Sequence, residues 1–409
     1  TLHGACLPWI ETNSLHWKLV KETTVGNTLV SPLNKTQNSR VLVLGGTGKV
    51  GGSTAFALSK FSPDLRLVIG GRNREKGDAV VSKLGENSEF VEVNVDSMRS
   101  LESAFKDVDL VVHAAGPFQQ AEKCTVLEAA ISTRTAYVDV CDNTSYSMQA
   151  KSFHDKAVAA NVPAITTAGI FPGVSNVIAA ELVRSARDEN TEPQRLRFSY
   201  FTAGSGGAGP TSLVTSFLLL GEEVVAYSEG EKVELKPYTG KLNIDFGKGV
   251  GKRDVYLWNL PEVRSGHEIL GVPTVSARFG TAPFFWNWAM VAMTSLLPPG
   301  ILRDRNIIEK LANFVYPSVQ VFDGIAGECL AMRVDLECAN GRNTSAILSH
   351  ERLSELVGTS TAVFALAILE GSTQAGVWFP EEPEGIAVGD RELLLKRASQ
   401  GAINFIMKQ

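Results

Sequence analysis

Three short stretches of this chain gather residue types that can do chemistry. Gly45-Gly-Thr-Gly-Lys-Val-Gly51 places glycines at 45, 48 and 51. Glycine tolerates positive φ in a tight turn and leaves no Cβ between an approaching phosphate and main-chain N–H groups. Gly45, Thr47, Gly48, Lys49, Val50 and Gly51 are thus the expected contacts of a pyrophosphate at a helix start. The second stretch, Ile69-Gly-Gly-Arg-Asn73, sits where an acid would take the ribose 2′-hydroxyl of NAD, yet no acid precedes Glu75. Arg72 can instead pair bidentately with a 2′-phosphate, with Asn73 beside it and Arg74 as a second cation. The expected coenzyme is therefore NADP rather than NAD. The third stretch is Tyr137-Val-Asp-Val-Cys-Asp142. Tyr137, Asp139 and Asp142 are candidates to orient or protonate a substrate, and Cys141 to line a nicotinamide pocket. For each carboxylate, a helix cap or loop hydrogen bond is the competing expectation.

Other segments complete the crevice. In His113-Ala-Ala-Gly-Pro-Phe118, the small residues Ala115, Gly116 and Pro117 let a nicotinamide lie against backbone, and His113 is expected to be packed. Asp96 would face the adenine or cap the next helix. Gly169-Ile-Phe-Pro-Gly-Val-Ser175, with Gly169 and Phe171, would line the opposite side.

Such groups converge only if the elements carrying them end at one edge. Apolar runs at 40–44, 65–69, 90–95, 110–114, 135–140 and 163–167 read as strands. Helical patterns at 50–61, 73–84, 97–105, 122–131 and 145–160 separate them. Strands alternating with crossover helices require a parallel, doubly wound α/β sheet, a Rossmann domain over 40–168, with ligands at the carboxyl ends of its strands. From 169 to 350 the strands are longer and more polar: 195–201, 224–235, 255–258, 275–279, 331–337 and 344–349. That pattern predicts an α+β domain with an antiparallel or mixed sheet. Glycine-rich 204–210 reads as a mobile loop. Apolar-faced helices are expected at 352–371 and 389–407.

Composition narrows the function classes. The chain has 409 residues, a net charge of −5 and no long basic run, which argues against nucleic acid as a partner. Five cysteines without a C-x-x-C argue against a disulfide framework or zinc site and for a reducing, intracellular compartment. Residues 1–39 form a Ser/Thr/Asn-rich extension. It reads either as the remnant of an organellar transit region, suggesting a plastid such as the chloroplast with the cytoplasm as alternative, or as a segment packed on the body through Trp9, Ile10 and Trp17. Between Arg278 and Arg303 no residue is charged. Pro-bounded 283–298 is too short and interrupted to span a bilayer. It reads as a helix buried at an interface, or as an interfacial helix making peripheral contact with lipid. No tyrosine has a lysine four residues later, so the short-chain dehydrogenase proton-transfer pair is missing.

Taken in order, Gly45–Gly51, Gly70-Gly-Arg72, Ala115-Gly-Pro-Phe118, Tyr137-Val-Asp139, Gly169-Ile-Phe-Pro-Gly173 and Gly376-Val-Trp-Phe-Pro-Glu381 resemble the saccharopine dehydrogenase-like oxidoreductases across residues 40–385. The resemblance implies a Rossmann domain, a central domain holding a small-molecule substrate and a homodimer contact, and C-terminal helices that rejoin the first domain. It also implies nicotinamide-linked hydride transfer at a carbon–nitrogen bond, such as an imine, or a related carbonyl. One departure matters: Arg197, Arg253, Arg264 and Arg278 are scattered and form no evident set for a dicarboxylic amino acid. The rival expectation is a catalytically silent nucleotide-binding scaffold or sensor attached to a membrane or protein complex.

Overall fold

The computed structural model describes residues 36–119, 121–203, 210–326 and 328–408. The extension at 1–35 and the run 204–209, read above as a mobile loop, lie outside the described residues.

The first sheet contains β1 (Arg40–Leu44), β2 (Arg66–Gly71), β3 (Ser88–Glu92), β4 (Leu110–His113), β5 (Ala136–Asp139) and β6 (Pro163–Ile165). They pair in parallel in the order β6-β5-β4-β1-β2-β3. The order reverses between β1 and β4, which opens a crevice at their carboxyl ends. The continuous apolar run of β1 follows from burial on both faces. Val41 and Val43 enter one core cluster while Leu42 and Leu44 enter another on the opposite side. The helix expected at 145–160 is two helices, Thr144–Lys151 and His154–Ala160. The break falls where Phe153 N–H bonds Ala150, tightening the last turn.

The second sheet takes β7 (Pro193–Ala203), β8 (Val224–Ser228), β9 (Glu231–Leu235), β10 (Leu242–Asp245), β11 (Lys252–Leu257), β12 (Thr274–Ala282), β13 (Cys329–Cys338) and β14 (Asn343–His350). Its central pair, β7 and β12, is parallel and the rest is antiparallel, so the sheet is mixed. The single strand expected over 224–235 is a hairpin. Glu229 and Gly230 adopt φ values of 52° and 92°, the doubly left-handed turn that reverses two strands tightly.

The C-terminal region returns to both sheets. Helix Leu353–Glu370 packs on helix Lys49–Phe61 of the first domain, and a Cβ at Gly358 would lie 2.5 Å from that of Ser53. β15 (Gly376–Trp378) then adds in parallel to β6, making the first sheet seven-stranded. The helix expected over 389–407 is corrected to a short helix, Arg391–Ala398, followed by β16 (Asn404–Lys408). Gly401 at φ 79° turns the chain between them, and β16 pairs with β14 of the second sheet.

Candidate functional site

The glycine turn after β1 is built from main chain. Gly45 has φ 75°, and a Cβ there would sit 2.7 Å from the Ala114 carbonyl oxygen, so β1 and the end of β4 touch at this point. A Cβ on Gly51 would overlap the Gly45 carbonyl. Gly48 N–H donates to Gly45 O at 2.8 Å and closes the turn. Helix Lys49–Phe61 then begins on Gly48 with no side-chain cap and no acid in its first turn. The first N–H groups of a helix are of the kind that an anion satisfies, and the helix dipole favours negative charge there. Thr47 adjoins the end of β2, since a Cβ on Gly71 would meet Thr47 Oγ1 at 3.2 Å. A pyrophosphate fits this cradle.

Beyond β2 the three polar residues divide their tasks. Asn73 caps the next helix by accepting from Lys76 N–H at 2.9 Å. Arg74 lies over the Phe90 ring, 5.4 Å from its centroid. Arg72 is exposed and makes no ion pair or hydrogen bond among the described residues, which leaves its fork free for a 2′-phosphate. Asp96 is also exposed; Ser97, not Asp96, caps the following helix.

At the end of β4, Ala115 and Pro117 are half-buried and Gly116 is exposed beside the turn. His113 is packed, in edge contact with Phe118 at 4.9 Å, and its Nδ1 accepts from Ala115 N–H at 3.4 Å. Burial drives its pKa down to about 3, so it is a neutral imidazole at physiological pH.

Tyr137, Asp139 and Cys141 lie beneath the crevice floor, each fully buried. Asp139 accepts from Tyr137 OH (2.9 Å), Cys141 N–H (3.0 Å), Thr166 OH (3.1 Å) and Thr167 N–H (2.8 Å). Desolvation raises its pKa to about 6 against those four bonds. This carboxyl ties the end of β5 to the end of β6. Cys141 hydrogen-bonds Asn143, and burial pushes its thiol well up, so it packs rather than reacts. Gly169 and Gly173 are buried behind them, and Phe171 stacks on Tyr200 of β7 at 4.4 Å.

Asp142 differs from its neighbours. It is half-buried and accepts from Gln119 Nε2 at 2.8 Å, while Gln119 Oε1 accepts from Thr215 on helix Pro210–Leu219 at 3.1 Å. That chain bridges the two domains. Around it stand acids from distant segments. Glu222 accepts from Asn259 at 2.9 Å, Glu262 from Tyr200 OH at 2.6 Å, and Glu381 from Asn176 at 2.9 Å. Asn176 Oδ1 in turn accepts from Gly173 N–H at 2.9 Å, so the loop after β6 is held by the same network. Desolvation raises all four carboxyls, and Asp142 adds repulsion on both Glu222 and Glu262. Glu262 reaches about 7, with Glu381 contributing further repulsion. The second carboxyl oxygens of Glu262 and Glu381 are buried without a hydrogen-bond partner. A buried acceptor left so is satisfied by a proton or by a cation.

The turn residues, Ala115 to Pro117, Asp142 and the loop from Gly169 thus converge on one crevice. Glu222, Glu262, Glu381 and Tyr200 are absent from the sequence-based expectations. Glu381 falls within the Gly376–Glu381 motif and Glu262 follows Pro261 at a helix start, but no spacing relates them. The arginines are engaged elsewhere. Arg197 pairs with Glu337, Arg264 with Glu268, Arg278 bonds Gly240 O and Ser276, and Arg253 lies over Phe201.

Residues 41–165 match the family model described as the saccharopine dehydrogenase NADP binding domain. Among curated proteins, the carboxynorspermidine synthase of Vibrio cholerae is 26% identical over 291 residues, covering 65% of this chain and 69% of that protein. The carboxynorspermidine synthase of Vibrio alginolyticus is 25% identical over 234 residues, covering 54% of this chain and 56% of its own length. Among solved structures, apo saccharopine dehydrogenase (L-Glu forming) from Saccharomyces cerevisiae shares the fold with a TM-score of 0.65. The match covers 91% of this chain and 100% of that one at 13% identity. NADP is accordingly the coenzyme of the first domain.

Proposed function

On the premise that this chain is a saccharopine dehydrogenase-like, NADP-dependent oxidoreductase, we propose that it reduces a carbon–nitrogen double bond, or a related carbonyl, in a small molecule that enters the crevice bearing a protonated amine. The observation that carries this reading is the group of Asp142, Glu222, Glu262 and Glu381, four acids that outnumber Arg303, whose charge draws Glu222 down. Mutually repelling, desolvated carboxyls favour a cation between them. A dicarboxylic amino acid would meet the wrong sign of charge. The name of the Vibrio relatives, which denotes an amine product, agrees.

When bound, the coenzyme supplies the hydride. The protein's own residues orient and charge-match the partner. Gln119 and Thr215 hold Asp142 toward the domain boundary, Asn259 holds Glu222, and Tyr200 directs Glu262. Reduction of a neutral imine also consumes one proton at nitrogen, and Glu262 is the crevice group whose protonation is balanced near neutrality. Holding the reacting carbons close supplies the remainder of the rate.

Calorimetry of the NADPH-loaded protein with a short α,ω-diamine and with glutamate tests the charge argument. The diamine is expected to bind and glutamate not. Asp142→Asn with Glu222→Gln should weaken the diamine by roughly tenfold or more, as for loss of a charge-assisted contact. NADPH oxidation with that diamine and a panel of aldehydes then tests turnover. Equal binding of glutamate would sink the amine assignment, and tight NADPH binding without any turnover would favour a silent scaffold.

A further inference from the structure

The two glutamates of the turn after β15 go opposite ways. Glu382 turns toward the first domain, where its carboxylate takes Lys151 Nζ at 2.7 Å and Phe379 N–H at 2.6 Å. Lys151 also donates to Val377 O at 2.8 Å, so this side of the turn is clamped to the helix that follows β5. Glu381 turns inward, is buried, and sets one carboxyl oxygen on Asn176 at 2.9 Å, close enough to Glu262 to repel it. The turn is thus the carrier of one of the four crevice acids.

The other side is fixed by Arg391, the first residue of helix Arg391–Ala398. Its guanidinium is buried, with the residue only 3% exposed. Nη2 donates to Glu381 O at 2.7 Å and Nε to Ile386 O at 3.3 Å, so one planar fork spans the two ends of the turn. Its carboxylate partner, Glu181, stands at 3.3 Å and is bound more closely by Arg184, at 2.8 Å. A buried cation so placed is costly, and an apolar side chain of similar volume would pack there without that cost. The charge is used on main-chain carbonyls, where a charge-assisted hydrogen bond is both strong and directional.

Resting on the amine-binding reading above, we propose that Arg391 is a positioning residue: through the carbonyl of Glu381 it holds that residue's carboxyl where the crevice takes up a protonated amine. It acts through Glu381 rather than on the substrate itself. Arg397, on the same helix, supplies the contrast. It pairs with Glu370 at 2.8 Å and so docks the helix on helix Leu353–Glu370 instead of on the turn. A role confined to seating the helix would be shared by both arginines, whereas a role in placing the carboxyl belongs to Arg391.

Calorimetry of the NADPH-loaded full chain with the same short α,ω-diamine tests this. Arg391→Lys keeps a cation but cannot span both carbonyls, and is expected to weaken the diamine roughly fivefold with NADPH affinity unchanged. Glu381→Gln should weaken it too. Adding Arg391→Lys to Glu381→Gln should weaken it no further, because both act at one carboxyl. Arg397→Met should leave both affinities alone. In the wild type, without any variant, the diamine should slow amide hydrogen exchange at Gly385 and Ile386, whose N–H groups bond Glu382 O inside the turn, since coupling is reciprocal. A diamine affinity untouched by Arg391→Lys or by Glu381→Gln, full additivity of the two, an equal loss in Arg397→Met, or unchanged exchange would overturn the proposal. A wild type that binds no diamine would sink the amine assignment and the role of Arg391 with it. Wild-type binding with an inert Arg391→Lys would sink the role of Arg391 alone.

Discussion

The two ends of the crevice are built on opposite principles. The phosphate end is main chain: a glycine turn, the first N–H groups of one helix, and a single free guanidinium, all within residues 45–72. The end proposed for substrate is side chains: Asp142, Tyr200, Glu222, Glu262 and Glu381 come from separate segments, each held by a neutral hydrogen-bond donor or serving as one. A backbone site recognises what all dinucleotides share and tolerates almost no change of shape. A side-chain site recognises charge and can be retuned one residue at a time.

That contrast can be broken experimentally. Gly51→Val should have the largest effect, since its side chain would overlap the Gly45 carbonyl; titration calorimetry should find no heat with NADPH. Asp139→Ala removes the acceptor of four buried donors and should cost about 4 kcal/mol, read by denaturant unfolding. If that variant is as stable as wild type, the carboxyl is not the tie between β5 and β6.

The pH dependence of stability sharpens the other end. Glu262 rises from an ordinary 4.5 to about 7, so the folded state binds more protons than the unfolded state between those values. Stability should therefore be fully present below about pH 4.5 as far as this group is concerned and fall by up to about 3 kcal/mol as pH passes 7. Glu262→Gln should flatten that part of the unfolding profile. An unchanged slope would reject the burial of this charge.

Arg72→Ala should weaken NADPH by roughly tenfold to a hundredfold with NADH unaffected, the value of a charge-assisted pair. Arg264→Ala, which removes an exposed pair with Glu268, should change stability by about 0.5 kcal/mol or less and serves as the baseline.

The same contrast explains what could be read from sequence. The glycine spacing, the strand-and-helix alternation and the missing acid after β2 are local signals, and the parallel sheet follows from them. Asp142 draws notice in the sequence because it lies just past the end of β5, at the crevice edge. Glu222, Glu262 and Glu381 do not, because their relation exists only after the two domains meet. Tyr137 and Asp139 were singled out for their types at a strand end. Their mutual hydrogen bond and burial place them as supports beneath the crevice. The hairpin at 228–231 was misread because Glu229 occupies a left-handed position usually marked by Asn or Gly. The final strand was misread because the pairing partner that selects strand over helix lies on β14.

One stretch, residues 376–408, supplies an outer strand to each sheet, β15 to one and β16 to the other. Without it both layers would carry a flank of unpaired main-chain groups, so a cut in the chain just before Gly376 should loosen the two domains together.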